Sequence, residues 1–360
     1  MSVFKIKLVK KYLFRVSLFL IQKVIYKKKK LHNNRIKRIL IVRLKHLGDF
    51  LLSQPTVHSI KKAFPEAEID IVTGIWNREL VSFFGSFYAG TFFYNVKAFC
   101  RNKNQQMPFA KKMGVLKKIS KRKYDICVDL DGSSGFLFIY LLKKIRHLVS
   151  LESLRFYQNL EQLKILKNRY DYNINRNHEI KNIGSILECL DIKNKFDTFK
   201  MPEKRSGNNK LSRKKEGNKI IGIHPSASIP EKLWTEKNFT ELADILSKKY
   251  DAEIFFFGAE ADKKQISRII QNMNSRAVDC SGISIAEFII GIKQCSYFIC
   301  LDSFAQHVAY FQKVPALVLY MSTNSRRWTP EKSEYFKWIG GGKNNQIGIM
   351  DVLECMPPQI

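Results

Sequence analysis

Short aliphatic runs recur along the chain, each bounded by charged or turn residues. Ile39–Arg43 is such a run, and "EIDIVTG" (Glu68–Gly74) and "YDICVDLDG" (Tyr124–Gly132) repeat the pattern. Runs this short and this rich in Ile and Val read as strands buried on both faces. The segment after the first strand predicts a helix from Pro55 to Phe64, with Pro65 just beyond its end. From Ile75 to Lys123 the pattern is not divisible, because Phe, Lys and Asn recur without a clear period.

The alternation stops at Asp197–Asn218, which is polar, charged and poor in apolar residues, as a linker is. It then restarts. "KIIGIHPSA" (Lys219–Ala227) predicts a strand running into a loop, and Thr235 is placed to cap the next helix with Trp234 and Phe239 as a hydrophobic staple. "EIFFFGAE" (Glu253–Glu260) predicts a strand and then a helix, and "SIAE" (Ser284–Glu287) a capping box. "YFICLDS" (Tyr297–Ser303) and "PALVLY" (Pro315–Tyr320) predict strands with a short helix between them. Two blocks of alternating strands and helices imply an α/β protein of two doubly wound parallel-sheet domains. The expected division is a basic segment 1–38, a first domain 39–200, a linker 201–218 and a second domain 219–360.

Charge changes this picture. The chain of 360 residues carries a formal net charge of +30, which suits a polyanionic partner: nucleic acid, anionic lipid or a phosphorylated substrate. Residues 1–38 hold thirteen Lys/Arg and no Asp/Glu, with apolar residues between them. The apolar run Val16–Ile21 is too short to span a bilayer, and no small-residue cleavage site follows it. The expectation is a basic amphipathic helix lying on an anionic membrane, against the alternative of a solvated helix packed on the protein itself. Seven cysteines without a C-x-x-C read as buried thiols in a reducing compartment, and the histidines show no metal spacing.

Candidate chemistry sits at predicted strand ends, where such sheets bind ligands. Asp49, the first acidic residue, follows Gly48. A glycine turn there would project a carboxylate able to accept a proton, whereas the plainer role is a helix cap. "HPSASIPEK" (His224–Lys232) groups Ser226, Ser228 and Lys232, which suit a diphosphate or an ordinary loop equally well. "DSFAQH" places Asp302 and Ser303 at a strand end, with His307 a turn later, as a helix start offered to an anion or as a cap and a structural histidine. "DLD" (Asp129–Asp131) can be read as a metal site on a nucleotide diphosphate or as turn residues before Gly132.

These motifs, in this order, resemble glycosyltransferase family 9, the heptosyltransferases of lipopolysaccharide assembly. The resemblance runs from about Ile39 to Pro330. It is carried by "ILIVRLKHLGDFLLSQP", "YDICVDLDG", "HPSASIPEKLW" and "DSFAQHVAYFQKVPALVLY". Ser226 and Phe304 stand where the family has glycines, so the donor nucleotide contacts depart from the usual pattern. The resemblance implies a GT-B fold, two Rossmann-like domains facing a cleft. It further implies an inverting, metal-independent transfer of a heptose or related sugar from an ADP-sugar to a lipopolysaccharide core acceptor, with no cofactor besides the donor. On this basis Asp49 is the expected base, with Gly48 and Arg43 in the acceptor loop. Lys232 stabilises the leaving diphosphate, while Ser226, Ser228, Glu260, Asp302, Ser303 and His307 are the remaining donor contacts. The expected location is the cytoplasmic face of the inner membrane, bound peripherally. A nucleic-acid-binding protein would be equally basic, but no helix-turn-helix, zinc or RNP-like signature occurs. A silent nucleotide-sugar-binding homologue is the other alternative, opposed by the retention of Asp49, Lys232 and His307.

Overall fold

The computed structural model describes residues 36–101, 103–131, 145–150, 178–193, 199–203, 218–323, 325–329, 334–342 and 346–360. All but the last three residues of the basic segment 1–38, and most of the expected linker, lie outside the described residues.

The first half builds a five-stranded parallel sheet from β1 (Arg38–Arg43), β2 (Glu68–Thr73), β3 (Gly90–Phe93), β4 (Tyr124–Asp129) and β5 (Ile145–Ser150), in the order β3-β2-β1-β4-β5. The second builds a six-stranded parallel sheet from β6 (Lys219–His224), β7 (Ala252–Gly258), β8 (Ala277–Ser281), β9 (Tyr297–Leu301), β10 (Ala316–Tyr320) and β11 (Phe336–Gly340), in the order β11-β10-β9-β6-β7-β8. Strand order reverses between β1 and β4 in one sheet and between β6 and β9 in the other. Such reversal points open crevices at the carboxyl ends of strands, where ligands bind.

The helices relevant to the site are α1 (Leu47–Ala63), α2 (Arg78–Phe84), α3 (Phe109–Lys121), α4 (Glu179–Gly184), α5 (Glu236–Tyr250), α6 (Lys263–Gln271), α7 (Ile285–Gln294) and α8 (Phe304–Gln312). Alternate residues of β1 face opposite ways. Ile39 and Ile41 pack with Phe50, Leu51 and Val57 of α1, in a core that continues into Ala305 and Val308 of α8. Leu40 and Val42 turn to the other side and pack with Leu116 and Ile119 of α3. Thus α1 lies between the two sheets, and α3 covers the far face of the first.

Both predicted caps form. Thr235 Oγ1 accepts from the Asn238 amide at 3.1 Å, and the Trp234 and Phe239 rings meet edge to face at 4.9 Å. Ser284 and Glu287 close a capping box. The helix expected from Pro55 instead begins at Leu47, with Pro55 inside it. A proline costs least in a first turn and most in a helix interior. Here the surrounding residues Phe50, Leu51, Leu52 and Val57 are fully or almost fully buried, and that packing outweighs the break.

Candidate active site

β1 ends in Arg43, a guanidinium with no solvent exposure. A buried cation must be paired and hydrogen-bonded. Its Nη1 donates to the Leu130 carbonyl at 2.6 Å and lies 3.1 Å from Asp131 Oδ1. Its Nε donates to the Asp49 carbonyl at 2.9 Å, and Nη2 lies 3.4 Å from Asp49 Oδ1. Asp131 also accepts the Leu44 amide, and its own amide donates to Asp129 Oδ1 at 3.0 Å. Burial pushes the Asp131 carboxyl upward, against the pull of Arg43, Lys45 and the Leu44 amide, while the nearby Asp49 charge adds to the rise. The second carboxylate of "DLD" is therefore engaged with protein groups, tying β4 to β1 across the reversal point.

Asp49 stands in the first turn of α1, after the extended His46. Negative charge is favoured there by the helix dipole. Its side chain is 19% exposed, with Lys45 Nζ at 3.9 Å in addition to Arg43. His46 beside it packs against Trp76 and Phe99, and burial and the Arg101 charge lower its pKa.

Gly48 does not adopt a positive φ, so a sharp glycine turn is not its role. A Cβ on Gly48 would lie 3.1 Å from Cδ2 of His307. The missing side chain allows α8 of the second sheet to sit against the start of α1. His307 is buried, its Nδ1 has no hydrogen-bond partner, and burial drives its pKa down to about 3. It stands there as a neutral ring.

α8 starts at the second reversal point. Asp302, at the end of β9, pairs with Lys232 Nζ at 2.6 Å and accepts from Gln306 Nε2 at 2.7 Å; Gln306 accepts from the Tyr320 hydroxyl. Ser303 occupies the N-cap position, but its hydroxyl does not cap the helix; it lies 3.4 Å from His224 Nδ1 at the end of β6. His224 is also held neutral by burial, its pKa lowered to about 4.

The remaining sequence candidates are dispersed around this loop. Ser226 is buried with Oγ 3.4 Å from Gln265 Oε1, and Ser228 is exposed. No hydrogen bond or ion pair among the described residues links Ser226, Ser228 and Lys232. Glu260 is exposed, 3.8 Å from Lys263, and packs over Gly282, whose φ of +73° and lack of a Cβ make room for it. Sequence reasoning missed Gln306, one turn after Asp302, and the bridging roles of Asp131 and His224. The i, i+4 spacing of Asp302 and Gln306 was the available signal.

The model of glycosyltransferase family 9 (heptosyltransferase) matches residues 113–346. The chain belongs to this family. It is a glycosyltransferase. Lipopolysaccharide heptosyltransferase 3 of Escherichia coli is 21% identical over 301 residues, covering 82% of this chain and 86% of that protein. A glycosyltransferase family 9 structure from Veillonella parvula superposes with a TM-score of 0.65 at 16% identity, covering 88% of this chain and 90% of the other. E. coli ADP-heptose LPS heptosyltransferase II gives 0.63 at 18% identity, covering 88% and 96%. E. coli heptosyltransferase WaaC with ADP-2-deoxy-2-fluoro heptose gives 0.62 at 13%, covering 88% and 98%. The family 9 glycosyltransferase thus has the GT-B fold.

Proposed function

We propose that this family 9 glycosyltransferase transfers a heptose, with inversion, from ADP-heptose to a lipopolysaccharide core acceptor. In this reading the first domain, 39–200, takes the acceptor, 201–218 links the two, and 219–360 takes the nucleotide sugar. The supporting observation is the seam at Gly48 and His307. Asp49 follows Gly48 in the chain, and the Asp302–Lys232 pair acts electrostatically on His307. In this reading base and cation lie on the two sides of one junction between the sheets. The similar proteins named above, an LPS heptosyltransferase and WaaC with an ADP-heptose analogue, support this choice of donor and acceptor.

The chemistry follows from these groups. An acceptor hydroxyl is a poor nucleophile, so Asp49 accepts its proton as its oxygen attacks the anomeric carbon. The bond from that carbon to the β-phosphate oxygen breaks on the opposite face, and the electron pair leaves on the diphosphate. Lys232, oriented by Asp302, and the amides at the start of α8 stabilise that charge. Positive charge from the protein takes the place of a metal. Ser226, Ser228, Ser303, Glu260 and His307 complete the donor surroundings. The acceptor is anionic and membrane-borne, which suits the basic chain and a peripheral location on the cytoplasmic face of the inner membrane. No helix among the described residues is long and apolar enough to cross a membrane.

One observation favours a different nucleotide sugar as the second reading. Ser226 is buried against Gln265, and Phe304 stacks on Phe288 at 5.9 Å, both at positions where the family has glycine. The test is Asp49→Asn assayed with a panel of nucleotide sugars on truncated lipopolysaccharide. ADP-heptose is expected to be the donor, and kcat is expected to fall by roughly two to four orders of magnitude. Asn caps about as well as Asp, so near-wild-type turnover by the folded variant removes Asp49 as the base. Turnover of another nucleotide sugar alone favours the second reading.

A further inference from the structure

The excess positive charge is confined to one part of the molecule. Before Lys219 the chain has 46 Lys/Arg against 17 Asp/Glu; from Lys219 on it has 16 against 15. The excess positive charge therefore lies in the part of the chain that precedes the second sheet. Within the described residues the charge concentrates further. No acidic residue occurs from Leu80 to Tyr124, a stretch holding ten Lys/Arg.

The fold gathers that stretch onto one face. Leu116 and Ile119 of α3 are buried against Leu40, Val42, Tyr94 and Tyr124, which fixes the opposite face outward. Ala110, Gly114, Lys117, Lys118 and Lys121, spaced at helical intervals, form that outward face with Lys111 beside them, and all six are exposed. None of these lysines has a carboxylate within ion-pair distance among the described residues. Phe109, at the start of α3, is 68% exposed. The loop after β3 continues the surface: Lys97, Arg101 and Lys103 are exposed, and Phe99 packs on the same core as α3. This loop also reaches the site, where Phe99 packs against His46 and Arg101 acts electrostatically on it.

We propose that the outward face of α3, with Lys97, Arg101 and Lys103 beside it, docks on an anionic lipid bilayer. Unpaired lysines beside an exposed aromatic ring match the charge of phospholipid headgroups and the depth at which such rings sit. This deepens the reading of a membrane-borne acceptor and rests on it only for the choice of a bilayer as occupant. The docked bilayer lies on the far side of the sheet from α1, so the seam between the sheets stays open. The loop then leads from the lipid surface to the mouth of the site. This contact is separate from anything the N-terminal basic segment contributes.

The experiment uses the full chain with four lysines of α3 neutralised (Lys111→Gln, Lys117→Gln, Lys118→Gln, Lys121→Gln) and Phe109→Ser. A control loses equal charge from the second half (Lys237→Gln, Lys248→Gln, Lys249→Gln, Lys264→Gln). Both are sedimented with vesicles of phosphatidylethanolamine and phosphatidylglycerol, with phosphatidylcholine vesicles as the neutral comparison and thermal unfolding as the folding check. The α3 variant is expected to bind anionic vesicles about tenfold or more weakly while unfolding like the parent, with the control nearly unchanged. Unchanged binding by a folded α3 variant, or equal loss in the control, overturns the proposal. So does tighter binding to random-sequence DNA than to vesicles through the same residues. A variant series of Phe109→Ser and Lys118→Gln alone covers any failure of the multiple variant to fold. If α3-dependent vesicle binding holds but ADP-heptose is not turned over, the heptosyl-transfer reading falls and this one stands.

Discussion

Gly48 and His307 face each other from helices belonging to different sheets: a Cβ on Gly48 would stand 3.1 Å from the imidazole Cδ2. The glycine precedes the proposed base, and the histidine follows the proposed diphosphate site. Both therefore register one half of the molecule against the other.

Gly48→Ala demands a shift of only a few tenths of an ångström and gains helix propensity of about 1 kcal/mol, so its stability should stay within about 1 kcal/mol of the parent. Gly48→Leu must displace the ring and should cost roughly 1–3 kcal/mol. Its turnover should fall further than its stability explains, because the register of α1 and α8 changes. Urea unfolding beside steady-state kinetics on both variants checks this. Wild-type turnover by Gly48→Leu would show that the contact has no bearing on catalysis.

His307, buried, and His224, half-buried, are held as neutral rings by desolvation, with pKa values of about 3 and 4. In the unfolded chain each titrates near 6.5. Between those values the unfolded state binds more protons, so stability is full above pH 6.5 and is lost as the pH falls. From pH 7 to pH 5 each histidine should remove about 2 kcal/mol. His307→Asn should flatten the dependence by about that amount, read from urea midpoints. A parallel pH dependence in parent and variant would rule out the buried neutral ring.

Which strands were legible in the sequence follows from their place in the sheets. The seven strands recognised as apolar runs, from Ile39–Arg43 to Pro315–Tyr320, are the inner strands of both sheets. The four not recognised, β3, β5, β8 and β11, are all edge strands. An edge strand is covered on fewer sides, so residues such as Asp279 in β8 or Lys337 in β11 are tolerated and the apolar run is broken. The candidate site was legible only as a set of motifs. What joins them is contact over long separations, such as Arg43 with Asp131 and Lys232 with Asp302. No local pattern encodes such pairs. Gly48 illustrates the difference, since its cause is a ring from the other half and not the conformation of its own loop.

Asp131 and Asp49 share one buried partner: Arg43 Nη1 lies 3.1 Å from Asp131 Oδ1, and Nη2 lies 3.4 Å from Asp49 Oδ1. By removing one of the two carboxylates that hold this guanidinium beside the proposed base, Asp131→Asn should lower kcat. It should also destabilise the fold by up to about 3–5 kcal/mol, because the buried cation loses a partner. Lower stability with an unchanged kcat in the folded variant would make Asp131 a strut alone.

The Lys232–Asp302 pair at 2.6 Å yields the last prediction. Lys232→Ala removes the cation that faces the leaving diphosphate and should cost roughly 2–4 kcal/mol of transition-state stabilisation. Asp302→Asn keeps Gln306 as a hydrogen-bond partner but frees the ammonium to swing out of place. If Asp302 acts by orienting Lys232, the two effects are not independent, and the double variant should be about as slow as Lys232→Ala alone. If Asp302 instead touches the donor directly, the losses should add. ADP affinity separates the cases further. Removing a carboxylate that only orients Lys232 weakens ADP binding, whereas removing one that faces the diphosphate relieves repulsion and strengthens it. Additive losses in kcat/KM together with tighter ADP binding by Asp302→Asn would remove Asp302 from the orienting role.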